Sequence, residues 1–537
     1  MTKYVFVTGG VLSSVGKGVS VASLGRILKS RSYVVGAQKL DPYLNAEPGI
    51  MSPAQHGELF VTKDGAATDL DLGHYERFIG VELSRFSSVS AGEVYRSLLE
   101  KERRGDYLGG TIQVVPQLTD EIKRYIRRGA EANEADIAIV EVGGTVGDIE
   151  GQPFLEAIRQ MRNEEGRENV VYVHVTFLPH IAATHELKTK PTQHSVNELR
   201  RIGIQPDVIL CRSDFPISDS IKDKISLFCD VEREAVASLV TSETIYEVPL
   251  LLEEAHLGDF LCERLALSAP RPDLDAWRSL VERLKTTREP VEVAIVGEHV
   301  RLQDAYYSVR EALRHAALVH DSEAALHWVD SRTLSEDDCT QLKNMQGIVV
   351  PSSSHYESME GLIAAAKYAR TARIPFLGLG IGMHAMAVEY ARNVAGIEDA
   401  HSAEFCADGR NPVIDRTVEA DASGLRRGTY PCKLIAGTHA AAAFGTGLSY
   451  ERHRHAYELN NHFRPRLRDA GVIPSGVSAD DQFVDILEVA DHPWMLGCQF
   501  HAEFKSRPDL PHPLFVAFMA AAKEVLLEGA QPSLPIS

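Results

Sequence analysis

The chain has 537 residues, enough for two or three domains that each have a core of their own. Hydrophobic residues make up 44% of it and charged residues 24%, as in ordinary globular proteins. The formal net charge of −19 argues against nucleic acids and anionic membranes as partners, because both bind basic surfaces.

The cysteines and the apolar runs indicate where such a protein works. The seven cysteines form no C-x-x-C pair, so they predict no zinc site and fit a reducing compartment. Met1 leads directly into a strand rather than into a signal peptide, and no apolar stretch approaches the roughly 20 residues that span a bilayer. We therefore expect a cytoplasmic protein.

Short β-branched strands alternate with helical stretches along most of the chain. In the first half the strands are YVFVT, ADIAIVEV, VVYVHVTFLP and PDVILCRS, a pattern typical of a parallel α/β sheet. The alternation stops near Ser268, at the proline-bearing APRPDL, and a second series starts at VEVAIVGE. We predict two doubly wound α/β domains, at residues 1–267 and 291–537, joined by a linker at 268–290.

A glycine-rich string, GGVLSSVGKGVS, follows the first strand. Lys17 stands at the start of a predicted helix, where backbone N–H groups and its own ammonium can hold phosphates. The loop is one residue longer than the standard P-loop, and Gly18 replaces the Ser or Thr that usually binds magnesium. A plain glycine turn is the alternative interpretation.

Two carboxylates can take over the metal if the loop binds a nucleotide. Asp71 lies in ATDLDLGHYERF, and Glu141 ends the apolar strand IAIVEV. An acidic residue at the carboxyl end of a buried parallel strand points into the crevice where nucleotides bind. Either residue alone could equally be a solvated carboxylate at a strand end.

Three further strings are more specific: QKLDPYLN, SPAQHGE and ELKTKPTQHSV. The last places Lys188 and Lys190 two residues apart before a proline, a compact cationic clamp for a polyanion. Together with KERRGDYLGGTIQVVPQ and GGTVGDIE, these strings resemble the synthetase domain of the CTP synthase family. The resemblance extends over essentially the whole chain.

The resemblance implies a ligase that converts UTP to CTP in two steps, with ATP and Mg²⁺. ATP phosphorylates O4 of the uracil ring, and ammonia then displaces the phosphate from C4. The implied residues are Lys17, Lys39 and His56 for catalysis and the ammonia passage; Ser13, Ser14, Gly16, Lys17, Gly18 and Asp71 for ATP; Asp71 and Glu141 for Mg²⁺; and Asp148, Glu150, Lys188, Lys190, Gln193 and Lys224 for UTP or inhibitory CTP.

Some residues of this half depart from the family pattern. His180 and His185 stand where an aromatic or another residue and a glycine are usual, and Leu59 is bulkier than the common valine. We interpret both histidines as local packing. A changed base pocket or amine entrance is the alternative.

The second half carries the string IPFLGLGIGMH, a strand, a tight turn and a helix. Such an elbow normally presents a nucleophile, but its apex here is Gly380. Downstream, CQFHAEF places His501 and Glu503 as a base and its orienting carboxylate. This region resembles a class I glutamine amidotransferase whose elbow, G-x-C-x-G-x-Q, has lost its cysteine.

Other positions of that domain have changed too. VPSSSHYES replaces V-P-G-G-F-G-x-R-G, so Ser352 and Ser353 remove the paired glycines beside the oxyanion. The remaining departures are Glu357 and Ala456 for two arginines, His384 for the elbow glutamine and Ala502 for the proline of H-P-E. Neither Cys406 nor Cys498 lies on an elbow. We predict that glutaminase activity is absent.

Three functions stay open on the sequence. The chain aminates UTP with free ammonia, or with ammonia from a separate protein; or it joins another amine to UTP or to a modified pyrimidine nucleotide; or it regulates a genuine synthase as a non-catalytic paralogue. Intact phosphoryl-transfer residues argue against the third. The resemblance also implies a homotetramer whose UTP site is shared between subunits, with filaments as a further level of assembly.

Overall fold

The computed structural model describes residues 2–12, 15–46, 51, 57–352, 357–417 and 424–529. It divides into two compact units. Unit 1 comprises residues 1–48 and 71–285, and unit 2 comprises residues 49–70 and 286–537. Each unit is built on a sheet that carries helices, so the α/β class expected from the alternating pattern is confirmed.

Unit 1 is organised around a parallel sheet that has seven strands within the described residues. They are β1 (Lys3–Gly9), β2 (Val35–Asp41), β3 (Ser88–Ser90), β4 (Ile137–Val142), β5 (Val170–Phe177), β6 (Val208–Ser213) and β7 (Val236–Val240), in the spatial order β7-β6-β5-β1-β4-β2-β3. The connections after β1 and β4 lead to opposite sides of this order. The carboxyl ends of these two strands therefore frame a switch point, where α/β proteins bind nucleotides.

Helices cover both faces of this sheet. They are α1 (Lys17–Lys29), α2 (Asp71–Ile79), α3 (Ala91–Arg103), α4 (Thr119–Ala132), α5 (Gln152–Glu165), α6 (Lys190–Arg201), α7 (Asp219–Cys229), α8 (Val248–Glu254), α9 (Leu257–Arg264) and α10 (Asp275–Lys285). Phe6 and Val140 pack with α4 and α5 on one face. On the other, Gly25 of α1 packs close to Ile79 of α2 and Ile139 of β4.

Unit 2 contains a mixed sheet with nine strands in its described part. They are β8 (Pro290–Gly297), β9 (Glu323–Asp330), β10 (Gly347–Val350), β11 (Phe376–Leu379), β12 (Arg426–Leu434), β13 (Leu448–His455), β14 (Val472–Ser478), β15 (Val484–Val489) and β16 (Met495–Cys498). Their order is β9-β8-β10-β11-β16-β15-β14-β12-β13. Pairing is parallel from β9 to β16 and antiparallel from β16 to β13.

The helices of unit 2 also lie on both faces of its sheet. They are α11 (Tyr307–Val319), α12 (Glu360–Ala372), α13 (Ile381–Asn393), α14 (His439–Phe444), α15 (Arg464–Asp469) and α16 (Pro513–Gly529). Alternate residues of β8 face opposite cores: Val293 and Ile295 pack with α11 and α16, whereas Ala294 and Val296 pack with α12 and α13. This period of two explains the uninterrupted apolar sequence of the strand.

The units differ from the predicted domains in two places. Residues 57–70, which lie far upstream of the predicted linker, belong to unit 2 and form a hairpin of Phe60–Val61 and Ala67–Thr68. Helix α10, which lies in the predicted linker, belongs to unit 1 because its Trp277 is buried and donates to Tyr246 O at 2.8 Å. The change of unit therefore comes at residue 286.

Short elements complete the fold. Strands Ala400–Ser402, Asn411–Arg416 and Tyr457–Leu459 form a small sheet, and His180–Ile181 pairs with Glu186–Leu187. The 3₁₀ turns are Arg85–Ser87, Arg167–Asn169, Arg233–Ala235, Ile245–Glu247, Gln303–Tyr306, Ser331–Thr333, Thr340–Leu342 and Ala502–Lys505, and Val114–Leu118 is a short helical turn. Among the described helices, none combines the length and apolar character of a membrane span.

Candidate active site

The glycine-rich loop ends where α1 begins, at the carboxyl end of β1. Lys17 is the first residue of this helix and follows Gly16, whose φ is 96°. The Lys17 ammonium donates to the carbonyl oxygen of Gly144, in the loop after β4, at 2.8 Å. A cation therefore lies at the switch point, beside the N-terminus of a helix, as phosphate binding requires. Ser13 and Ser14 lie outside the described residues.

The residue that replaces the usual Ser or Thr of the loop faces a carboxylate. A Cβ atom at Gly18 would lie 1.9 Å from Oδ1 of Asp71. The Asp71 carboxylate thus occupies the space that a side chain at position 18 would need. This explains why the loop departs from the standard P-loop, and it places an oxygen ligand where the hydroxyl would otherwise be.

Lys39 of β2 lies between two carboxylates. Its ammonium is buried and lies 2.5 Å from Oδ2 of Asp71 and 3.6 Å from Oδ1 of Asp41. Because β2 is adjacent to β4, Lys39 is also the register partner of Glu141. The buried Lys39 ammonium and the half-buried Asp71 carboxylate, which carry opposite charges, are thus paired at the end of the sheet.

Glu141 is the most perturbed carboxyl of this group. Its pKa is raised to about 8, first by burial and then by the negative charge of Asp71, while Lys39 and Lys17 act in the opposite direction. Tyr75, one helical turn after Asp71, donates to Glu141 at 2.5 Å. Two neighbouring carboxyls, one of them costly to ionise, suit a divalent cation with oxygen ligands. Among the described residues no group of three or more His, Cys, Asp or Glu side chains is placed to hold a metal ion.

The lysines expected to bind the triphosphate lie on α6 and α7 and in the hairpin before α6. Lys188 forms an ion pair with Glu186, and the pKa of Glu186 is lowered first by this contact and further by Lys224. Lys190, the first residue of α6, lies 5.7 Å from the ring of Phe228. Gln193 is buried and donates to the Thr189 hydroxyl at 3.1 Å.

Asp148 and Glu150 lie in the exposed loop between β4 and α5. Asp148 accepts a hydrogen bond from the backbone N–H of Thr145 at 2.8 Å. In the described part of the single chain, neither carboxylate pairs with a lysine of the α6–α7 group. Their joint role at one nucleotide stays a prediction.

The departures from the family pattern in this half are accounted for in part. The His180 ring packs against Phe215 at a tilt of 46°, with centroids 4.4 Å apart, and lies 6.2 Å from the ring of His185, which is exposed and has φ 52°. His180 thus packs on an aromatic residue, whereas the interpretation of His185 as local packing stays a prediction. Leu59 is half-buried in unit 2, and His56 lies outside the described residues.

The elbow of unit 2 keeps the backbone of a nucleophile turn. Gly380 has φ 51° and ψ −106°, and its N–H donates to the Cys498 carbonyl at 2.8 Å. A Cβ atom at this position would lie 2.6 Å from Oγ of Ser352. The turn thus has no side chain at its apex, and a side chain there would displace the Ser352 hydroxyl. Ser353 lies outside the described residues.

The expected base and its partner are in place. Nδ1 of His501 donates to Oε1 of Glu503 at 2.8 Å, and the backbone N–H of His501 donates to Arg452 O at 2.9 Å. Cys498 is buried, which raises the pKa of its thiol well above the usual range, so it is a poor nucleophile. Cys406 is exposed.

Two family models match successive parts of the chain. The family model "CTP synthase N-terminus" matches residues 3–267, and "Glutamine amidotransferase class-I" matches residues 301–521. A CTP synthase of Dehalococcoides mccartyi is 58% identical over 100% of both chains, and one of Thermomicrobium roseum is 57% identical over 100% of this chain and 98% of the relative. The chain belongs to the CTP synthase family. A solved glutaminase domain of Trypanosoma brucei CTPS with bound acivicin is 30% identical, with a TM-score of 0.42, covering 44% of this chain and 94% of that one.

Two polar groups of this CTP synthase family member were missed by sequence reasoning. Tyr75 holds Glu141, and its spacing of four residues from Asp71 was the available signal. His174 of β5 is hydrogen-bonded to Thr8 and Ser195, at 2.9 and 2.7 Å, and burial lowers its pKa to about 3. It is therefore neutral, and no local pattern pointed to it.

Four of the positions that depart from the amidotransferase pattern are hydrogen-bonded or buried in unit 2. Nε2 of His384, in the place of the elbow glutamine, donates to Gln499 Oε1 at 2.9 Å, and burial lowers the pKa of His384 to about 4. The carbonyl of Ala456 accepts from Thr417 N at 2.8 Å, and Ala502 is fully buried. The backbone N–H of Glu357 donates to the carboxylate of Glu298.

Proposed function

We propose that the chain aminates UTP at C4 to give CTP, at the expense of ATP and through a 4-phosphorylated UTP intermediate. The nitrogen comes from free or externally supplied ammonia rather than from its own hydrolysis of glutamine. ATP-dependent amination is supported above all by the convergence of Lys17, Lys39, Asp71 and Glu141 at one end of the sheet of unit 1. Relatives that bear the name CTP synthase over their full length support the substrate pair.

The residues divide the phosphoryl transfer between them. Lys17 and Lys39 offset the charge that builds up on the transferring phosphoryl group, which is the main demand of this chemistry. Asp71 and Glu141 would hold Mg²⁺, which would supply positive charge to offset that of the phosphates. Phosphorylation turns O4 into a good leaving group, and ammonia then forms the C4–N bond as phosphate departs. The amine loses a proton to solvent or to a neighbouring base.

The absence of glutamine hydrolysis is inferred from the elbow of unit 2. Without a side chain at Gly380, no thiolate is available to attack an amide, and the buried thiol of Cys498 is held in its protonated form. The hydroxyl of Ser352 fills the adjoining space. The surviving pair of His501 and Glu503 therefore has no nucleophile to activate in this turn.

Assembly through unit 1 completes the proposal. Several large apolar side chains of this unit are exposed, among them Leu99, Leu108, Val114, Val115 and Ile149, of which Leu108 is 96% exposed. The lysines of α6 and α7 do not meet Asp148 and Glu150 within the described chain. Both features support a homotetramer in which neighbouring subunits complete the UTP site.

The deciding experiment measures CTP formation by the purified full-length protein with ATP, UTP and Mg²⁺. Ammonium chloride should support turnover, glutamine should not, and Lys17→Ala should lose most of the activity. The rate should rise with pH, because only unprotonated NH₃ is a nucleophile. Turnover with other amines but not with ammonia would favour the repurposed ligase, and no UTP-dependent phosphate release with any amine would refute the substrate assignment.

A further inference from the structure

A buried histidine joins strand β1 to helix α6 within unit 1. Nδ1 of His174 lies 2.9 Å from the Thr8 hydroxyl oxygen, and its Nε2 lies 2.7 Å from Oγ of Ser195. All three side chains are buried, and burial together with the nearby Lys17 ammonium lowers the pKa of His174 to about 3. The imidazole is therefore neutral and has one N–H, so one of its nitrogens donates and the other accepts.

The direction of these hydrogen bonds follows from what each hydroxyl can reach. In the described part of the chain the Ser195 hydroxyl has no partner other than Nε2 of His174, whereas the Thr8 hydroxyl also lies 3.4 Å from Val173 O. With the proton on Nδ1, Ser195 donates to Nε2, Nδ1 donates to Thr8, and Thr8 donates to Val173 O. This arrangement gives every one of these buried polar groups a partner.

Ser195 also lies directly against the start of the glycine-rich loop. A Cβ atom at Gly10 would lie 1.5 Å from Oγ of Ser195, and the backbone N–H of Gly10 donates to Val175 O of β5 at 3.0 Å. The adjoining glycine contacts the catalytic lysine, because a Cβ atom at Gly9 would lie 2.7 Å from Cδ of Lys17. Two consecutive glycines thus contact Lys17 and Ser195, respectively, at distances that leave no space for a side chain.

Helix α6 is held on β5 at a second point, where the hydroxyl oxygens of Thr176 and Thr192 lie 2.5 Å apart. Thr192 and Ser195 are three residues apart and lie on the same buried face of the helix. The first turn of α6 also carries Lys190 and Gln193, which are predicted to bind UTP. The contacts of this face with β5 and with the loop therefore determine where the predicted UTP residues lie relative to the phosphate loop.

We propose that Ser195 and His174 are positioning residues for phosphoryl transfer, which hold α6 against the glycine-rich loop so that donor and acceptor meet at the required distance. The inference rests on the proposed function, in which Lys17 binds ATP and α6 binds UTP. A reaction between two bound substrates depends steeply on their spacing, and a misplacement of about 1 Å can cost on the order of 10²-fold in rate. Neither residue has to touch a substrate in this role.

The test compares two substitutions of the same histidine. His174→Gln places an amide oxygen near the position of Nε2, where it can accept from Ser195, whereas the shorter His174→Asn reaches only the position of Nδ1. In ammonia-dependent CTP formation, His174→Asn and Ser195→Ala should each lower kcat about tenfold and leave KM for ATP and for UTP within about twofold of wild type. His174→Gln should keep kcat within about threefold of wild type.

A buried serine of α1 provides the matched control. The Ser23 hydroxyl has no hydrogen-bond partner among the described residues, so Ser23→Ala should leave kcat unchanged. The double variant of His174→Asn and Ser195→Ala should be no slower than either single variant, because both remove the same hydrogen bond. Wild-type kcat in Ser195→Ala would overturn the inference, as would equal losses in His174→Gln and His174→Asn, or a rise in KM without a fall in kcat.

A readout independent of activity is amide hydrogen exchange in the full-length protein without nucleotides, in the peptides that contain Gly10 and α6. Ser195→Ala and His174→Asn should speed this exchange, and His174→Gln and Ser23→Ala should not. A wild-type protein that makes no CTP from UTP and ammonia would refute the proposed function. Unchanged exchange in Ser195→Ala would refute the positioning contact itself, whether or not the protein makes CTP.

Discussion

The Ser352 hydroxyl oxygen lies 2.6 Å from the position that a Cβ atom would take at Gly380. Gly380 also holds φ at 51°, a conformation that costs any residue with a side chain. A side chain at this turn would therefore have to displace the Ser352 hydroxyl and adopt a strained backbone conformation.

This relationship predicts the outcome of restoring a cysteine. Gly380→Cys should lower the free energy of unfolding by about 1–3 kcal/mol, because the new side chain collides with Ser352 in a strained turn. Urea unfolding measures this loss, and adding Ser352→Gly should recover part of it. Glutamate release by Gly380→Cys should not exceed that of Gly380→Cys with His501→Ala. Release well above that control would show that the domain needs only its thiol.

The close approach of Gly18 and Asp71 predicts that the standard P-loop residue is harmful here. Gly18→Ser should reduce ATP turnover at least as much as Asp71→Asn does, because its Cβ would displace the Asp71 carboxylate. Removal of a charge-stabilising group in such a site costs about 10²–10³ in rate. Phosphate release with saturating UTP and ammonia is the measurement. Normal turnover in Gly18→Ser would mean that Asp71 is not needed where the structure places it.

His384 predicts a contribution to stability that depends on pH. Burial lowers its pKa from 6.5 to about 4, so between these values the unfolded chain binds a proton that the folded chain does not. The stability from this residue is complete above pH 6.5 and is lost as the pH falls toward 4, by about 3 kcal/mol in total. His384→Gln should flatten this part of the curve of unfolding free energy against pH. Parallel curves for both proteins would contradict the assigned shift.

Removal of unit 2 should inactivate the ligase. A chain ended after residue 290 keeps residues 57–70 but loses Phe504, which packs on the buried Phe60, and Arg452, which donates to Val61 O. Exposure of Phe60 alone costs about 1.5–3 kcal/mol. We expect the shortened protein to have little ammonia-dependent activity and rapid amide exchange in the hairpin. Full activity would show that the ligase reaction does not depend on unit 2.

The exposed apolar side chains of unit 1 predict which substitution disrupts assembly. If Leu108 lies in a contact of the proposed homotetramer, Leu108→Glu should dissociate the assembly and abolish CTP formation together, because a charge placed in an apolar contact is desolvated. Leu510→Glu, at a residue of unit 2 that is 59% exposed, is the control and should change neither property. Mass measurement in solution with and without ATP and UTP checks the assembly. An active monomer would separate the site from the assembly.

The sequence predicted best what local patterns determine. The strand periodicity, the position of Lys17 at a helix start and the glycine at the elbow apex were readable because each depends on a few neighbouring residues. Contacts between distant residues were not readable. A buried Phe60 indicates a hydrophobic core but not which of the two units contains it. The sequence therefore did not predict that residues 57–70 belong to unit 2. Likewise, the reason for Gly18 lies in the Asp71 carboxylate, and the closure of the elbow lies in Ser352.

The division of unit 2 into two stretches of sequence also governs how parts of this protein can be exchanged with those of a relative. A chimaera joined only near residue 286 would combine a foreign β12, β13 and α11 with the native residues 57–70, whose carbonyl groups and Glu58 are matched to Arg454, Thr429 and Ser308. A working graft has to carry codons 57–70 with the downstream part. The segment of sequence that belongs structurally to unit 2 is therefore split, and residues 57–70 of it lie within the sequence of the ligase domain.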